Sequence, residues 1–132
     1  RIGWEIIKPS AGFDSLRYMD NPKKDGYSVN TIAEYEIANK NSINEHEEEL
    51  DVHYASGIYN RLFYLLATTP NWDIHKAFDV MVYANIDYWT PNTNFQTGGC
   101  GILSAATDLH YELDDIKQVL EQVGIDIKPC IT

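Results

Sequence analysis

Apolar side chains recur every three or four residues through most of the chain beyond Ser56, and this spacing constrains the fold more than any other feature. It is the spacing that gives an amphipathic helix one buried face. Caps and helix breakers divide the stretch into four predicted helices, at about 56–67, 73–89, 93–109 and 112–123. No run alternates between polar and apolar residues for long. We therefore expect a mostly α fold, a small orthogonal helical bundle.

The ends of these predicted helices carry suitable residues. Asp73 is the expected N-cap of the second helix, and Asn94 or the threonine before it is the expected N-cap of the third. Asp114 and Asp115 suit the positive N-terminal end of the fourth helix, and Gly124 is its expected C-cap. These signals support the four boundaries independently of the apolar spacing.

The first fifty residues lack that spacing. Proline and glycine interrupt residues 1–26, so we expect an irregular N-terminal segment in which Leu16 and Arg17 lie on a loop. Residues 27–50 are polar and end in a run of glutamates, a composition that packs poorly against a core. We therefore expect residues 27–50 to form an exposed acidic loop. The whole chain, residues 1–132, is predicted to be a single domain.

Charge excludes some classes of function. The formal net charge is -10 at pH 7, whereas proteins that bind nucleic acid or anionic membranes present a basic surface. No apolar run approaches the length of a membrane-spanning helix. The two cysteines, Cys100 and Cys130, form either a disulfide or two buried thiols, and the sequence alone does not decide between these.

Asp51 precedes His53 by two residues, just ahead of the first predicted helix. A carboxylate held against one imidazole nitrogen favours the charged ring and leaves the other nitrogen able to donate to a developing oxyanion. On the residues alone, a structural hydrogen bond is the commoner role for such a pair. Arg17 is a second candidate, because a guanidinium offers two parallel donors to a carbonyl, although a surface ion pair is the alternative.

The other histidines, His46, His75 and His110, show no ligand spacing, and zinc needs three or four convergent donors. The glutamates at 45–49 lack the alternation and the glycine turn of an EF-hand calcium loop. We therefore predict no metal site within this chain.

Several segments, in the same order, resemble the C-terminal helical domain of thermolysin-like zinc metallopeptidases of the pseudolysin and vibriolysin type. They cover nearly the whole chain and are 15–22 (SLRYMDNP), 51–67 (DVHYASGIYNRLFYLLA), 70–73 (PNWD), 76–79 (KAFD), 88–90 (YWT), 99–101 (GCG) and 123–125 (VGI). The resemblance implies the fold described above. Compared with pseudolysin, residues 27–50 are lengthened, which makes this exposed acidic segment an insertion.

The resemblance also implies roles for the candidate residues in peptide-bond hydrolysis. His53 would donate a hydrogen bond to the tetrahedral intermediate, and Asp51 would orient His53. Arg17 would bind the substrate carbonyl just beyond the scissile bond. Leu16, Ile2 and Ile6 match positions that line the pocket for the residue on that side, which would favour a bulky apolar side chain, although each of the three could equally be packing residues.

Further expectations concern the complete enzyme. No HExxH occurs in this sequence, so the resemblance places the zinc-binding half before Arg1 and makes it a partner of this domain. Zinc and calcium would be cofactors of the complete enzyme, and this fragment would bind neither and be inactive alone. A peptide or protein substrate and an inhibitory propeptide are the other expected partners. A disulfide between Cys100 and Cys130 and secretion to the extracellular space are implied as well.

Two other interpretations remain open at this point. The chain could be a non-catalytic module that keeps the fold to bind a peptide or a propeptide. It could also be an unrelated helical interaction domain, in which case Asp51 and His53 would lie far from Arg17.

Overall fold

The computed structural model describes residues 3–7 and 15–130. Within these ranges it contains six α-helices and one small sheet. The chain divides into two compact units, one ending at Tyr64 and the other beginning at Leu65. The mostly α fold is confirmed. That residues 1–132 form a single domain stays a prediction. That residues 27–50 are an insertion also stays a prediction.

The first unit begins with two antiparallel strands, β1 (Glu5–Ile7) and β2 (Ser15–Tyr18). In their register Glu5 lies opposite Tyr18 and Ile6 opposite Arg17, with an irregularity after Ile6. The prediction of an irregular segment was therefore wrong for these residues, because Leu16 and Arg17 lie on a strand. Each strand is too short to show a clear alternation, and their pairing depends on contacts between separate segments.

A 3₁₀ turn at Pro22–Asp25 follows the sheet and ends at Gly26, whose φ of 89° is the left-handed conformation that glycine adopts without strain. The rest of the unit is helical, with α1 (Ile32–His46), α2 (Val52–Ala55) and the start of α3 (Gly57–Ala67). Helix α3 crosses the boundary between the two units.

Helix α1 corrects the prediction of a loop between residues 27 and 50. Thr31 caps it, because its side-chain oxygen accepts the backbone N–H of Glu34 at 3.2 Å. The helix has no buried residue, and its isoleucines at 32, 37 and 43 are not spaced to form one apolar face. Local helix-forming side chains and a cap therefore produce this helix without the periodicity on which the prediction relied.

The second unit contains α4 (Ile74–Asp87), α5 (Phe95–Asp108) and α6 (Leu113–Gln122), followed by a 3₁₀ turn at Lys128–Cys130. The predicted caps are confirmed, since the side chains of Asp73 and Asn94 accept backbone N–H groups of α4 and α5. Helix α5 packs against both α4 and α6.

The core of the second unit forms where α5 and α6 meet. The apolar face of α6 and its C-cap is at most 4% exposed and consists of Ile116, Val119 and Leu120 on the helix and Val123 at the cap. Gly99 on α5 permits close packing, because a Cβ atom there would lie 2.8 Å from Cγ2 of Ile125. A disulfide joins Cys100 to Cys130, as the family resemblance implies. None of the helices in the described ranges is long and apolar enough to cross a membrane.

Candidate active site

Asp51 holds His53 through a single carboxylate oxygen. Oδ1 of Asp51 accepts the backbone N–H of His53 at 2.8 Å and lies 2.7 Å from the ring nitrogen Nδ1. The first of these contacts makes Asp51 the N-cap of α2. Since Nδ1 faces the carboxylate, Nε2 is the ring nitrogen that can form a hydrogen bond to a ligand. The arrangement is local, so the two-residue spacing in the sequence is enough to predict it.

The environment of Asp51 favours its ionised form. The backbone N–H of His53, the side-chain hydrogen bond from His53 and the positive charge of Arg17 together lower the pKa of the Asp51 carboxyl group. A carboxylate at this distance can accept a hydrogen bond from Nδ1. An imidazole that is protonated on both nitrogens can then donate a second hydrogen bond from Nε2 to a developing negative charge.

The loop from the 3₁₀ turn to α1 is tied together by a second carboxylate, Asp25. Burial would raise the pKa of Asp25, but hydrogen bonds from the side chain and backbone of Ser28 and from the backbone N–H of Tyr27 outweigh burial and lower it. The two backbone donors lie 2.8 Å (Tyr27) and 2.7 Å (Ser28) from Oδ1 of Asp25. The N–H of Val29 then donates to the carbonyl of Tyr54 at 3.3 Å, which joins this loop to the helix that carries His53.

Gly57, the first residue of α3, lets this loop approach. A Cβ atom on Gly57 would lie 2.3 Å from the carbonyl oxygen of Val29 and 2.9 Å from Cβ of Pro22. Neither contact is possible without movement of the backbone, so a glycine is needed here. This close approach holds the loop beside α2. Gly57 itself follows His53 by four residues.

Arg17 extends from β2 into the same region. Its Nη1 atom donates to the carbonyl of Leu16 at 2.7 Å. The charge of Arg17 also lowers the pKa of both Asp25 and Asp51. A guanidinium has five N–H donors, so Arg17 keeps donors that can bind a carbonyl group.

These side chains border one pocket of about 560 Å³ in the first unit. Of the residues predicted for the site, four line it, namely Leu16, Arg17, Asp51 and His53. Ile6 lies on the neighbouring strand, opposite Arg17, with 47% of its surface exposed. Ile2 lies outside the described residues. The alternative of an unrelated helical domain required Asp51 and His53 to lie far from Arg17, and the shared pocket contradicts it.

Six further lining residues were not predicted, namely Ser15, Tyr18, Lys24, Asp25, Tyr27 and Tyr54. Tyr54 directly follows His53, which is a usable local signal. Asp25 precedes Gly26 and a serine, a pattern typical of turns closed by an aspartate side chain. Nothing in the sequence indicates that this turn packs beside α2.

The remaining histidines do not extend the site. Nε2 of His46 lies 3.9 Å from a carboxylate oxygen of Glu45, and both side chains are largely exposed. Within residues 3–7 and 15–130 no three histidine, cysteine, aspartate or glutamate side chains converge so as to hold a metal ion. The described residues thus do not fit a zinc ion.

Known proteins resemble this chain along nearly its whole length. Residues 1–125 match the family model described as thermolysin metallopeptidase, alpha-helical domain. A zinc metalloproteinase, MspA, of Legionella longbeachae is 55% identical over 130 residues, which are 98% of this chain and 22% of that protein. A zinc metalloproteinase of Legionella pneumophila is 52% identical over the same shares of the two chains. A neutral protease of Vibrio proteolyticus is 41% identical over 95% of this chain and 18% of its own length.

The chain thus spans about a fifth of the length of these curated relatives.

Proposed function

The chain belongs to the thermolysin metallopeptidase family as its alpha-helical domain, and we propose that it supplies the carbonyl-binding and oxyanion-stabilising part of a zinc-dependent endopeptidase site. The observation that carries the proposal is the pocket shared by Arg17 and the Asp51–His53 pair. One strand and one helix start bring a permanent cation and an oriented imidazole to the same cavity. Both groups can donate hydrogen bonds to peptide carbonyl oxygens, Arg17 to a carbonyl that does not react and His53 to the scissile carbonyl while a nucleophile attacks it.

His53 is proposed to stabilise the oxyanion. When a nucleophile adds to the scissile carbonyl, its oxygen becomes negative, and a preorganised donor lowers the energy of that state more than that of the substrate. Nε2 of a protonated His53 is such a donor, since Nδ1 is already held by Asp51. Asp51 is proposed as the positioning residue, which orients the ring through its contact with Nδ1.

Arg17 is proposed to bind the backbone carbonyl of the residue after the scissile bond. Its charge persists at any working pH, and its planar donors match a carbonyl oxygen. Leu16, 44% exposed beside Arg17, is proposed to contact the side chain of that same residue, together with Ile6 and Ile2. An apolar contact surface of this kind would favour bulky apolar side chains.

The nucleophile is proposed to come from outside this chain. The names of the relatives state zinc metalloproteinase, and this chain matches about a fifth of their length. We infer that the complete protein includes a zinc-binding half and that the two halves act on peptide or protein substrates. Secretion, a calcium requirement and an inhibitory propeptide are further proposals for the complete protein.

The test compares this chain alone with the same chain preceded by its native upstream coding sequence. Casein hydrolysis is measured with and without a zinc chelator. The proposal predicts that only the longer protein cleaves casein and that the chelator abolishes cleavage. If both proteins fold and the longer one binds zinc without cleaving casein, the fold serves binding instead, and the proposed function is wrong.

A further inference from the structure

Tyr27 is a large aromatic side chain that is fixed in position while 68% exposed. Its backbone N–H donates to Asp25, and the buried Ser28 next to it donates to the same carboxylate. Its ring stacks on that of Tyr54, with centroids 5.3 Å apart and planes inclined by 24°. A fixed, exposed ring is typical of a recognition surface, because little side-chain entropy is lost when a ligand covers it.

The two tyrosines separate two cavities of the first unit. Both line the pocket that contains Arg17 and His53, and both also line a second pocket of about 460 Å³ beside α1. Only one other residue, Asp51, is shared by the two pockets. A peptide whose carbonyl is bound by Arg17 would therefore meet the tyrosine pair as it continues toward α1.

The charge of the second pocket indicates which side chain of a bound peptide the rings of Tyr27 and Tyr54 would bind. Its described lining has four carboxylates, one histidine and no lysine or arginine, the titratable residues other than the tyrosines being Glu45, His46, Glu48, Glu49 and Asp51. Carboxylates alone would be only a solvated acidic surface. Next to an exposed tyrosine face, however, they favour a ligand that is both cationic and flat, and a guanidinium meets both requirements through cation–π stacking and bidentate hydrogen bonding.

We propose that Tyr27, supported by Tyr54, is a specificity-determining residue that binds an arginine side chain of the peptide substrate, removed from the scissile bond and directed into the second pocket. This inference rests on the proposed function, because it assumes a peptide bound at Arg17. It names a substrate class, peptides with an arginine a few residues beyond the cleaved bond.

The test uses the complete protein and a set of peptides with one cleavable bond. The second, third and fourth residues after that bond are replaced one at a time by arginine, citrulline, phenylalanine or alanine. Citrulline keeps the shape of arginine without its charge. At one position arginine should raise kcat/KM about five-fold over alanine, mainly through KM, as expected for one partly exposed cation–π contact. Citrulline should give less than half of this gain.

Three variants separate the ring from other effects. Tyr27→Ala should abolish the arginine preference, whereas Tyr27→Phe should retain it because the ring face persists. Ile37→Ala is the matched control, since Ile37 is similarly exposed on α1 but lines neither pocket. It should leave the preference unchanged.

The outcomes are distinguishable. Hydrolysis of the alanine peptide with no arginine preference at any position would overturn this inference and leave the proposed function intact. A preference for phenylalanine over arginine, or an arginine preference that survives Tyr27→Ala, would also overturn it. A complete protein that hydrolyses none of the peptides would refute the proposed function and this inference together.

Discussion

Nδ1 of His53 lies 2.7 Å from Oδ1 of Asp51, and the same oxygen accepts the backbone N–H of His53 at 2.8 Å. One carboxylate oxygen therefore fixes both the start of α2 and the orientation of the imidazole. Because the ring is tied to the helix cap, it cannot turn away without losing a hydrogen bond. The proposed catalytic geometry is consequently part of the local fold.

Replacing Arg17 should weaken substrate binding in the complete protein. Loss of charged hydrogen bonds to a carbonyl costs about 1.5–3 kcal/mol, which corresponds to roughly a 10- to 100-fold fall in kcat/KM for Arg17→Ala. The kcat/KM of Arg17→Lys should lie between those of Arg17→Ala and wild type, because an ammonium lacks the planar pair of donors. Steady-state kinetics with a short peptide measure both variants. Lys40→Ala, which removes an exposed cation on α1, is the control and should have no effect.

Asp25 should stabilise the fold in a manner that depends on pH. Its pKa in the folded protein lies below the ordinary value of 3.8, so its ionised form contributes stability at pH values above 3.8. That contribution is lost as the pH falls through the folded-state pKa. Asp25→Asn should therefore lower the free energy of unfolding by about 1–3 kcal/mol at pH 7, and the difference from wild type should shrink as the pH falls below 3.8.

Urea unfolding at pH 7, 5 and 3 measures this difference. Asp79→Asn, which changes an exposed aspartate on α4, provides the charge-matched control and should show a small difference at every pH. A penalty for Asp25→Asn that is as large at pH 3 as at pH 7 would refute the role of the ionised carboxylate.

Gly57→Ala should disturb the loop that borders the site. The added methyl group would meet the carbonyl oxygen of Val29 at 2.3 Å, and relief requires a backbone shift that costs about 1–3 kcal/mol. Thermal unfolding should show a lower Tm, and kcat/KM of the complete protein should fall because the loop carries lining residues. Gly3→Ala meets nothing within 4 Å and should behave like wild type. Equal Tm values for the two variants would contradict the close approach.

Removing the disulfide should destabilise the chain. Cys100 and Cys130 are 30 residues apart, and a closed loop of that size contributes about 3–4 kcal/mol in the chain-entropy model. The double variant Cys100→Ser and Cys130→Ser should therefore unfold at a lower urea concentration than the oxidised wild type. Wild type treated with a reductant should approach the midpoint of the variant, and an unchanged midpoint in both would show that the bond adds no stability.

What the sequence predicts well is local. The caps at Asp73 and Asn94 and the contact of Asp51 with His53 each involve residues two or three positions apart, so their chemistry can be recognised from spacing. The sequence does not reveal pairing between separate segments, nor a helix without an apolar stripe. The β1–β2 pairing joins separate segments, and α1 lacks the apolar stripe that marks a packed helix.

The candidate site shows the same division. His53, Asp51, Arg17 and Leu16 were predicted from motif and resemblance, and the structure brings these four to one pocket. Tyr27 was missed because its position depends on the turn closed by Asp25 and on stacking with Tyr54. No pattern in residues 25–30 encodes the distance from that turn to α2.

Turnover of the complete protein with His53→Ala tests the central claim most directly. If Nε2 of His53 stabilises the oxyanion, kcat should fall about 10²- to 10³-fold, with a much smaller change in KM, while zinc content and Tm stay at wild-type values. His75→Ala, which removes a histidine outside the site, should retain full activity. A His53→Ala protein with wild-type kcat would contradict the account.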